Sequence, residues 1–460
     1  MPMLAVKAEL DPGFSPLSLA WKEYQQQVAA SAAPRRFVCA IERNSGYTSP
    51  WSADLLPEGM DEQATVALLE RIVKSLLWMR GGYKIHIAGC KALYERLHAD
   101  YQLNGKRAFD VGFMQEVYEQ PFEVHWHNDA EAIAQPHEEI SATGRHLNGC
   151  RIGFDAGGSD RKVSAVIDGE AVYSEEVVWF PKITEDPEYH RQGILSAMKA
   201  AAAHMPRVDA IGVSSAGVYI DNRVRVASLF LKVPSELVES KVRNIYVDIA
   251  RELGNIPLVV ANDGDVTALA GAMNLDAGNV MGVAMGTSEA GGYVDANMHL
   301  MGWLNELAFV PVDANTDAMV DEWSGDYGCG VKYFSQDAVI NLAPAAGITL
   351  DPSLSPAEKL KVVQGKMEAG HAGAHQIYET IGVYFGHAIA YYALFYTIEH
   401  VLIMGRVTSG EGGSLLLAKT REVLDREYPE LAKRIQLHIP DENSRRVGQS
   451  VAAASLPDIH

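Results

Sequence analysis

The chain has 460 residues, 48 % of them hydrophobic and 21 % charged, with a formal net charge of −20. That composition is ordinary for a globular protein, and the length allows two to four domains at roughly 150 residues each. A polyanionic surface repels phosphate backbones, and the basic pairs Arg35-Arg36 and Arg445-Arg446 are short and isolated, so nucleic-acid binding is not expected.

Four scattered cysteines (Cys39, Cys90, Cys150, Cys329) form no CxxC pair, which argues against a zinc ribbon or a thioredoxin-type site and fits a reducing cytoplasm. No basic segment followed by an apolar core opens the chain, so no signal peptide is expected. Ile389 to Met404 is too short and too polar to span a bilayer and reads as a buried helix running into a buried strand.

Residues 1–33 read as a loose lead segment with one short helix. Strands follow at Phe37–Glu42 and, more weakly, Tyr47–Leu56. Asp61–Met79 has apolar residues at helical spacing and stops at Gly81-Gly82. Tyr83–Ala88 is a strand, Lys91–Tyr101 a helix and Phe122–Trp126 a strand. After Gly149 the pattern restarts: strands at Arg151–Phe154, Lys162–Asp168 and Ala171–Val178, a helix at His190–Met205, a strand at Val208–Val213, a helix at Ser235–Leu253 and a strand at Pro257–Ala261. Short strands alternating with helices argue for an α/β fold. The first series ends in His127-Asn128-Asp129-Ala130 and the second in Ala261-Asn262-Asp263-Gly264, so the first reads either as a degenerate duplicate of the second or as an unrelated domain with a common element order. Beyond Val280 come a strand at Gly282–Met285, a long helical region from His371 to about Glu399, a strand at Val401–Met404, a helix at Ser414–Glu427, a strand at Ile435–Ile439 and a closing helix at Ser444–Ser455.

Three glycine-rich turns each follow an apolar strand: Asp155-Ala156-Gly157-Gly158-Ser159, Gly286-Thr287-Ser288-Glu289-Ala290-Gly291-Gly292, and Gly405-Arg406-Val407-Thr408-Ser409-Gly410. Glycines let backbone amides approach a phosphate and form an anion-binding concavity. One such turn is weak evidence; three at strand ends are stronger. None is a Walker A loop or a dinucleotide fingerprint. Asp263 follows a strand and precedes an alanine-rich helix, where a carboxylate can accept the proton of a hydroxyl attacking a γ-phosphate. The plainer alternative is that Asn262 or Asp263 merely caps the helix.

In this order the elements resemble the ROK family, within the superfamily of sugar kinases, actin and Hsp70-type chaperones. GFDAGGSDRK is similar to its first phosphate motif, VVANDGDVTALA to the segment around its catalytic aspartate, GVAMGTSEAGGYV to its second phosphate motif and HVLIMGRVTSGEGG to its adenosine-side motif. The resemblance spans about Arg151 to Leu456. It implies two RNase-H-like lobes of the sugar kinase/actin type closing over Mg-ATP and a sugar, with an extra N-terminal α/β domain. The division it suggests is a lead segment (1–33), an N-terminal α/β domain (34–148), a first lobe (149–276), a second lobe (277–440) and a closing helix packing back on the first lobe (441–460).

By the same resemblance Asp263 is the general base and Asn262 a sugar contact. Asp155 orients magnesium-bound water. Gly157, Gly158, Ser159, Gly286, Thr287 and Ser288 face the phosphates, and Gly405 sits near the adenosine. Ser215 and Gly217 lie on the substrate-side loop. Two departures stand out. The family's GExGH segment, whose Glu and His bind sugar, is here Asn305-Glu306-Leu307-Ala308-Phe309: Glu306 is kept as a substrate contact and Phe309 replaces the His. The zinc cluster is reduced to Gly328-Cys329, so no structural zinc is expected. Asp160 also stands where the family often has Lys or Asn.

The expectation is a cytoplasmic ATP- and Mg-dependent carbohydrate kinase with no nucleic-acid or membrane partner, a homodimer being left open. The alternative is a non-catalytic sugar or nucleotide sensor. Gly212-Val213-Ser214-Ser215-Ala216 imitates a nucleophile elbow, but the residues after it read as extended rather than helical, against a hydrolase. The pairs His125/His127 and His371/His375 lack a third ligand and read as surface or core pairs. The N-terminal portion lacks a basic recognition helix, against a DNA-binding regulator.

Overall fold

Phe37, Val38, Cys39, Ala40 and Ile41 follow one another without a polar break, a run best accommodated by a strand covered on both faces. The computed structural model describes residues 4–140, 142, 144–440 and 442–459, with the backbone alone at 442–447. In it those five side chains are fully buried in β1 (Arg35–Glu42). With β2 (Thr48–Leu55), β3 (Lys84–Ala88) and β4 (Glu123–His127) it forms a sheet in the order β2-β1-β3-β4.

The second sheet contains β5 (Cys150–Ala156), β6 (Asp160–Ile167), β7 (Glu170–Val178), β8 (Ala210–Ser215) and, after a hairpin of β9 (Val218–Ile220) and β10 (Arg223–Val226), β11 (Leu258–Asn262). Its order is β11-β8-β5-β6-β7, an antiparallel meander β5-β6-β7 flanked by parallel β8 and β11. One face is packed by Ile194, Met198, Tyr246 and Ile249. The helix Glu442–Ala454 packs against β5, β6 and β8. Its approach needs glycine on the strands: a Cβ on Gly153 or Gly212 would lie 1.7 Å from the carbonyl oxygens of Ser450 and Ala453. A third sheet, β13-β12-β14-β15, is built from β12 (Val280–Met285), β13 (Glu289–Val294), β14 (His400–Met404) and β15 (Gln436–His438).

The chain divides into two compact units: residues 1–138, 283–291 and 303–439 form the first, and residues 139–282, 292–302 and 440–460 the second. Within the first, the helix Glu62–Arg80 organises the N-terminal sheet and the later segments together. The carbonyls of Trp78, Met79 and Arg80 accept the N–H groups of Glu306, Asn305 and Leu304 at 3.1, 3.0 and 3.2 Å, so the helix end is closed by main chain from far along the sequence. Arg71 and Lys74 of this helix, with Arg107, ion-pair to the buried Asp326. Phe309 packs on Trp78, Phe109 and Phe113, with ring centroids at 4.4, 5.2 and 6.5 Å. Phe309, which stands where the resemblance would put a sugar-binding histidine, is therefore an anchor in an aromatic cluster.

Several expectations need correction. The lead segment is not loose: Leu17 N–H bonds the Val312 carbonyl, Ser15 N–H bonds Asp313 and the Tyr384 hydroxyl bonds Asp11. The duplicate alternative fails on topology, because β1 pairs antiparallel with β3 whereas β5 pairs parallel with β8. The single helix expected at Ser235–Leu253 is broken into Ser235–Leu237, a wide turn at Val238–Val242 and Ile245–Glu252. There Arg243 exchanges main-chain and guanidinium bonds with Val224, which pulls the backbone out of helical register. Helices at Ala108–Tyr118, Gln336–Leu342 and Pro356–Glu368 were not anticipated.

Candidate active site

Parallel pairing aligns β5, β8 and β11 so that Asp155 lies opposite Ser214 and Asn262 opposite Ser215, which gathers the residues at the carboxyl ends of the three strands. Ser214 donates its hydroxyl to Asp155 Oδ1 at 2.9 Å and accepts from Gln449 Nε2 at 3.0 Å. Burial, partly offset by the Ser214 bond and Lys162 and reinforced by the charge of Asp263, pushes the Asp155 carboxyl up to about 7. The charge of Asp263 thus reaches the buried Asp155.

Asp263 opens the helix Asp263–Leu275, with Asn262 as its cap. The Gly264 N–H bonds both Asn262 Oδ1 (2.8 Å) and Asp263 Oδ1 (3.0 Å). Burial raises the Asp263 carboxyl, while the Gly264 N–H and the charge of Lys182 act to keep it ionised. Capping and a catalytic role are therefore not exclusive: Asn262 caps, and the Asp263 carboxylate keeps most of its acceptor capacity. Asn262 Nδ2 is tied to the Gly217 carbonyl at 2.8 Å. Gly217 is at φ 136°, and a Cβ there would meet Val226 O at 2.5 Å.

Ser215 behaves differently from its sequence assignment. It is fully buried, its hydroxyl lying 2.5 Å from Tyr219 OH and 2.9 Å from Tyr246 OH, so it is a tie within the fold and not an offered substrate contact.

Gly157, Gly158 and Ser159 form the turn between β5 and β6, with Ser159 exposed. The Trp179 indole N–H bonds Gly157 O at 2.8 Å and its main-chain N–H bonds Ser159 O at 3.1 Å, which fixes the turn from behind. Asp160 is paired with Lys162 at 3.4 Å and accepts from Ser159 Oγ.

In the first unit, Thr287 and Ser288 are exposed beyond β12. A Cβ on Gly286 would meet nothing closer than Ser288 O at 3.8 Å, and its φ is not positive, so neither packing nor backbone geometry demands a glycine there. That open space is what an approaching phosphate needs. Gly405 is different: at φ 102° its missing side chain lets the Met285 carbonyl approach, which explains it by packing alone. Glu306 is held by its N–H on Trp78 O. Beside it the sequence reading missed Glu289, a fully buried carboxyl whose Oε2 has no hydrogen-bond partner. Burial, with the Glu306 charge adding, holds Glu289 well above the usual carboxylate range. The sequence places it in a glycine turn, where carboxylates are normally solvated, whereas in the structure it opens the buried strand β13.

Among the described residues no group of three or more His, Cys, Asp or Glu is arranged to hold a metal ion, and no helix is long and apolar enough to cross a membrane. His127 Nε2 bonds His86 Nδ1 at 2.8 Å, and His125 bonds Glu123.

No family model and no curated protein matches the sequence. Solved structures do. A ROK hexokinase from Thermus thermophilus is 18 % identical with a TM-score of 0.52, the match covering 67 % of this chain and 97 % of that one. A ROK family glucokinase from Streptomyces griseus, in complex with glucose and AMPPNP, is 20 % identical with a TM-score of 0.50, covering 67 % and 99 %. Two thirds of this chain has the ROK sugar-kinase fold. The same fold occurs in a ROK family transcriptional regulator, a homolog of the E. coli MLC protein, at 17 % identity and a TM-score of 0.51, covering 67 % and 79 %. The remaining third of the chain is additional to the ROK fold.

Proposed function

We propose that the protein is an ATP- and magnesium-dependent phosphotransferase acting on a hydroxyl of a carbohydrate in the cytoplasm, with Asp263 as general base. The observation that carries this reading is the buried Asp155 and the half-buried Asp263, gathered at the ends of parallel strands beside a glycine turn.

Asp263 takes the proton of the acceptor hydroxyl. Desolvation makes its ionised form a stronger base than a surface aspartate, and the amides at the head of its helix limit the cost of that charge. One amide hydrogen of Asn262 stays available beyond its bond to Gly217 and is assigned to a sugar hydroxyl; Glu306 is assigned as a substrate contact on the ROK resemblance alone. The turns Gly157–Ser159 and Gly286–Ser288 fit phosphate groups, the second because of the vacant space over Gly286; Gly405 is assigned to the adenosine side. Asp155 would hold magnesium through water, where the metal supplies charge neutralisation for the transferring phosphoryl group.

The alternative, a sensor that binds sugar or nucleotide without turnover, is favoured by the regulator that shares the fold. One experiment separates the two. ADP release with Mg-ATP is measured over a panel of monosaccharides, disaccharides and polyols, for the natural protein and for Asp263→Asn. Turnover on a panel member, reduced by a factor of about 10² to 10⁴ in the variant, is the expected outcome. Binding of AMPPNP without turnover on any member selects the sensor. Turnover retained in the variant removes Asp263 from the mechanism.

A further inference from the structure

Lys182 belongs to the short turn Pro181–Ile183 that follows β7, and its side chain is exposed. It reaches the β5–β6 turn: a Cβ placed on Gly158 would lie 2.4 Å from Lys182 Cε, 2.8 Å from Nζ and 3.5 Å from Cδ. The end of the lysine stem thus occupies the place where any other residue at 158 would put its side chain. Gly158 has no positive φ, so the absence of a side chain there is what gives the lysine stem its place over the turn.

The surroundings leave the ammonium uncommitted. The other cations of this turn are engaged: Lys162 pairs with Asp160, and Arg161 lies over the Trp179 ring at 5.9 Å. Lys182 makes no ion pair among the described residues. Its charge nevertheless reaches Asp263, whose carboxylate it stabilises. A lone ammonium resting on a glycine turn, within electrostatic reach of Asp263, is a position where an anion can be held between the lysine and the turn.

We propose that Lys182 is a phosphate-binding and catalytic residue, contacting the terminal phosphates of the nucleotide at the Gly157–Ser159 turn and offsetting the charge that develops as the phosphoryl group moves toward the hydroxyl near Asp263. This rests on the kinase reading above. It also accounts for the acidic Asp160 in the turn: the cation comes from a different segment, 22 positions after the residue it would replace (182 − 160). Lys182→Met removes the charge and keeps the stem; Lys182→Arg keeps the charge.

The test is calorimetric binding of Mg-AMPPNP and of AMP to the natural protein and both variants, with circular dichroism to verify folding. Lys182→Met is expected to weaken AMPPNP about ten- to a hundredfold, to leave AMP within about twofold, and to be largely rescued by Lys182→Arg. AMPPNP bound equally by natural protein and Lys182→Met overturns the role of Lys182 and leaves the kinase reading standing. Equal loss of AMP and AMPPNP without rescue by Lys182→Arg also overturns it, since that is the pattern of a structural lysine. Failure of the natural protein to bind AMPPNP removes the kinase reading and the proposal together.

Discussion

Asp155→Asn should make the protein more stable at alkaline pH, and the size of the effect follows from burial. The Asp155 carboxyl sits at about 7 in the folded chain against an ordinary 3.8, a rise of about 3 (7 − 3.8). At 1.36 kcal/mol for each pH unit this amounts to about 4 kcal/mol. Because the folded-state value is raised, the native protein still holds this proton where the unfolded chain has released it. Stability therefore declines as pH climbs from about 4 to about 7 and levels beyond. Asparagine cannot titrate, so the stability difference between variant and natural protein should grow across that window toward about 4 kcal/mol. The amide that Asp155→Asn introduces must find an acceptor, which shifts the whole difference curve but not its slope. Trp179 is the only tryptophan of the second unit, and it is bonded to Gly157. Its ¹⁹F resonance in fluorotryptophan-labelled protein, followed through urea titrations between pH 4.5 and 8.5, reports the unit concerned. A difference that does not change with pH would refute the reasoning and mean that Asp155 is solvated.

Three further outcomes are expected. Asp326→Asn leaves Arg71, Lys74 and Arg107 buried without their common anion and should cost about 3–5 kcal/mol at neutral pH, read as a lowered urea midpoint; the neighbouring cations hold this carboxyl below its usual range, so the loss should shrink toward pH 3. Gly286→Ala should fold as well as the natural protein yet weaken AMPPNP binding, whereas Gly212→Ala, whose Cβ would meet Ala453 O at 1.7 Å, should lower the unfolding midpoint of the second unit or prevent its folding. Glu289→Gln should gain stability relative to the natural protein between pH 5 and pH 8, because the raised carboxyl of Glu289 makes the natural protein lose stability as pH rises; thermal scans at the two pH values decide it.

The strands and glycine turns were readable because they depend on local signals: apolar runs such as Ile152 to Phe154, and turn residues directly after them. Asp263 was readable for the same reason, as a carboxylate at a strand-to-helix junction. What stayed hidden depends on distant partners. Phe309 looks like a lost ligand until Trp78, Phe109 and Phe113 close around it. Lys182 is an ordinary exposed lysine until its stem is seen over Gly158. Ser215 stands two residues before Gly217, like a loop residue, but is captured by Tyr219 and Tyr246. The helix Ala108–Tyr118 escaped notice because it has no side-chain cap and Gly112 interrupts a sequence with little contrast between faces. The break after Leu237 could not be foreseen, since it is imposed by β10 and not by any helix-stopping residue.

The helix Glu62–Arg80 has a consequence for biosynthesis. Its last three carbonyls and its inward cations are answered by Leu304, Asn305, Glu306 and Asp326, which the ribosome adds long after the helix has emerged. At about 5–20 residues per second that interval is on the order of 10 to 50 seconds. Throughout it the nascent helix carries Arg71 and Lys74 without the carboxylate that answers them in the folded chain, and an open end, so this part of the core cannot close early. Codon changes that alter elongation speed between the two segments would act on the yield of native protein while leaving the amino-acid sequence untouched.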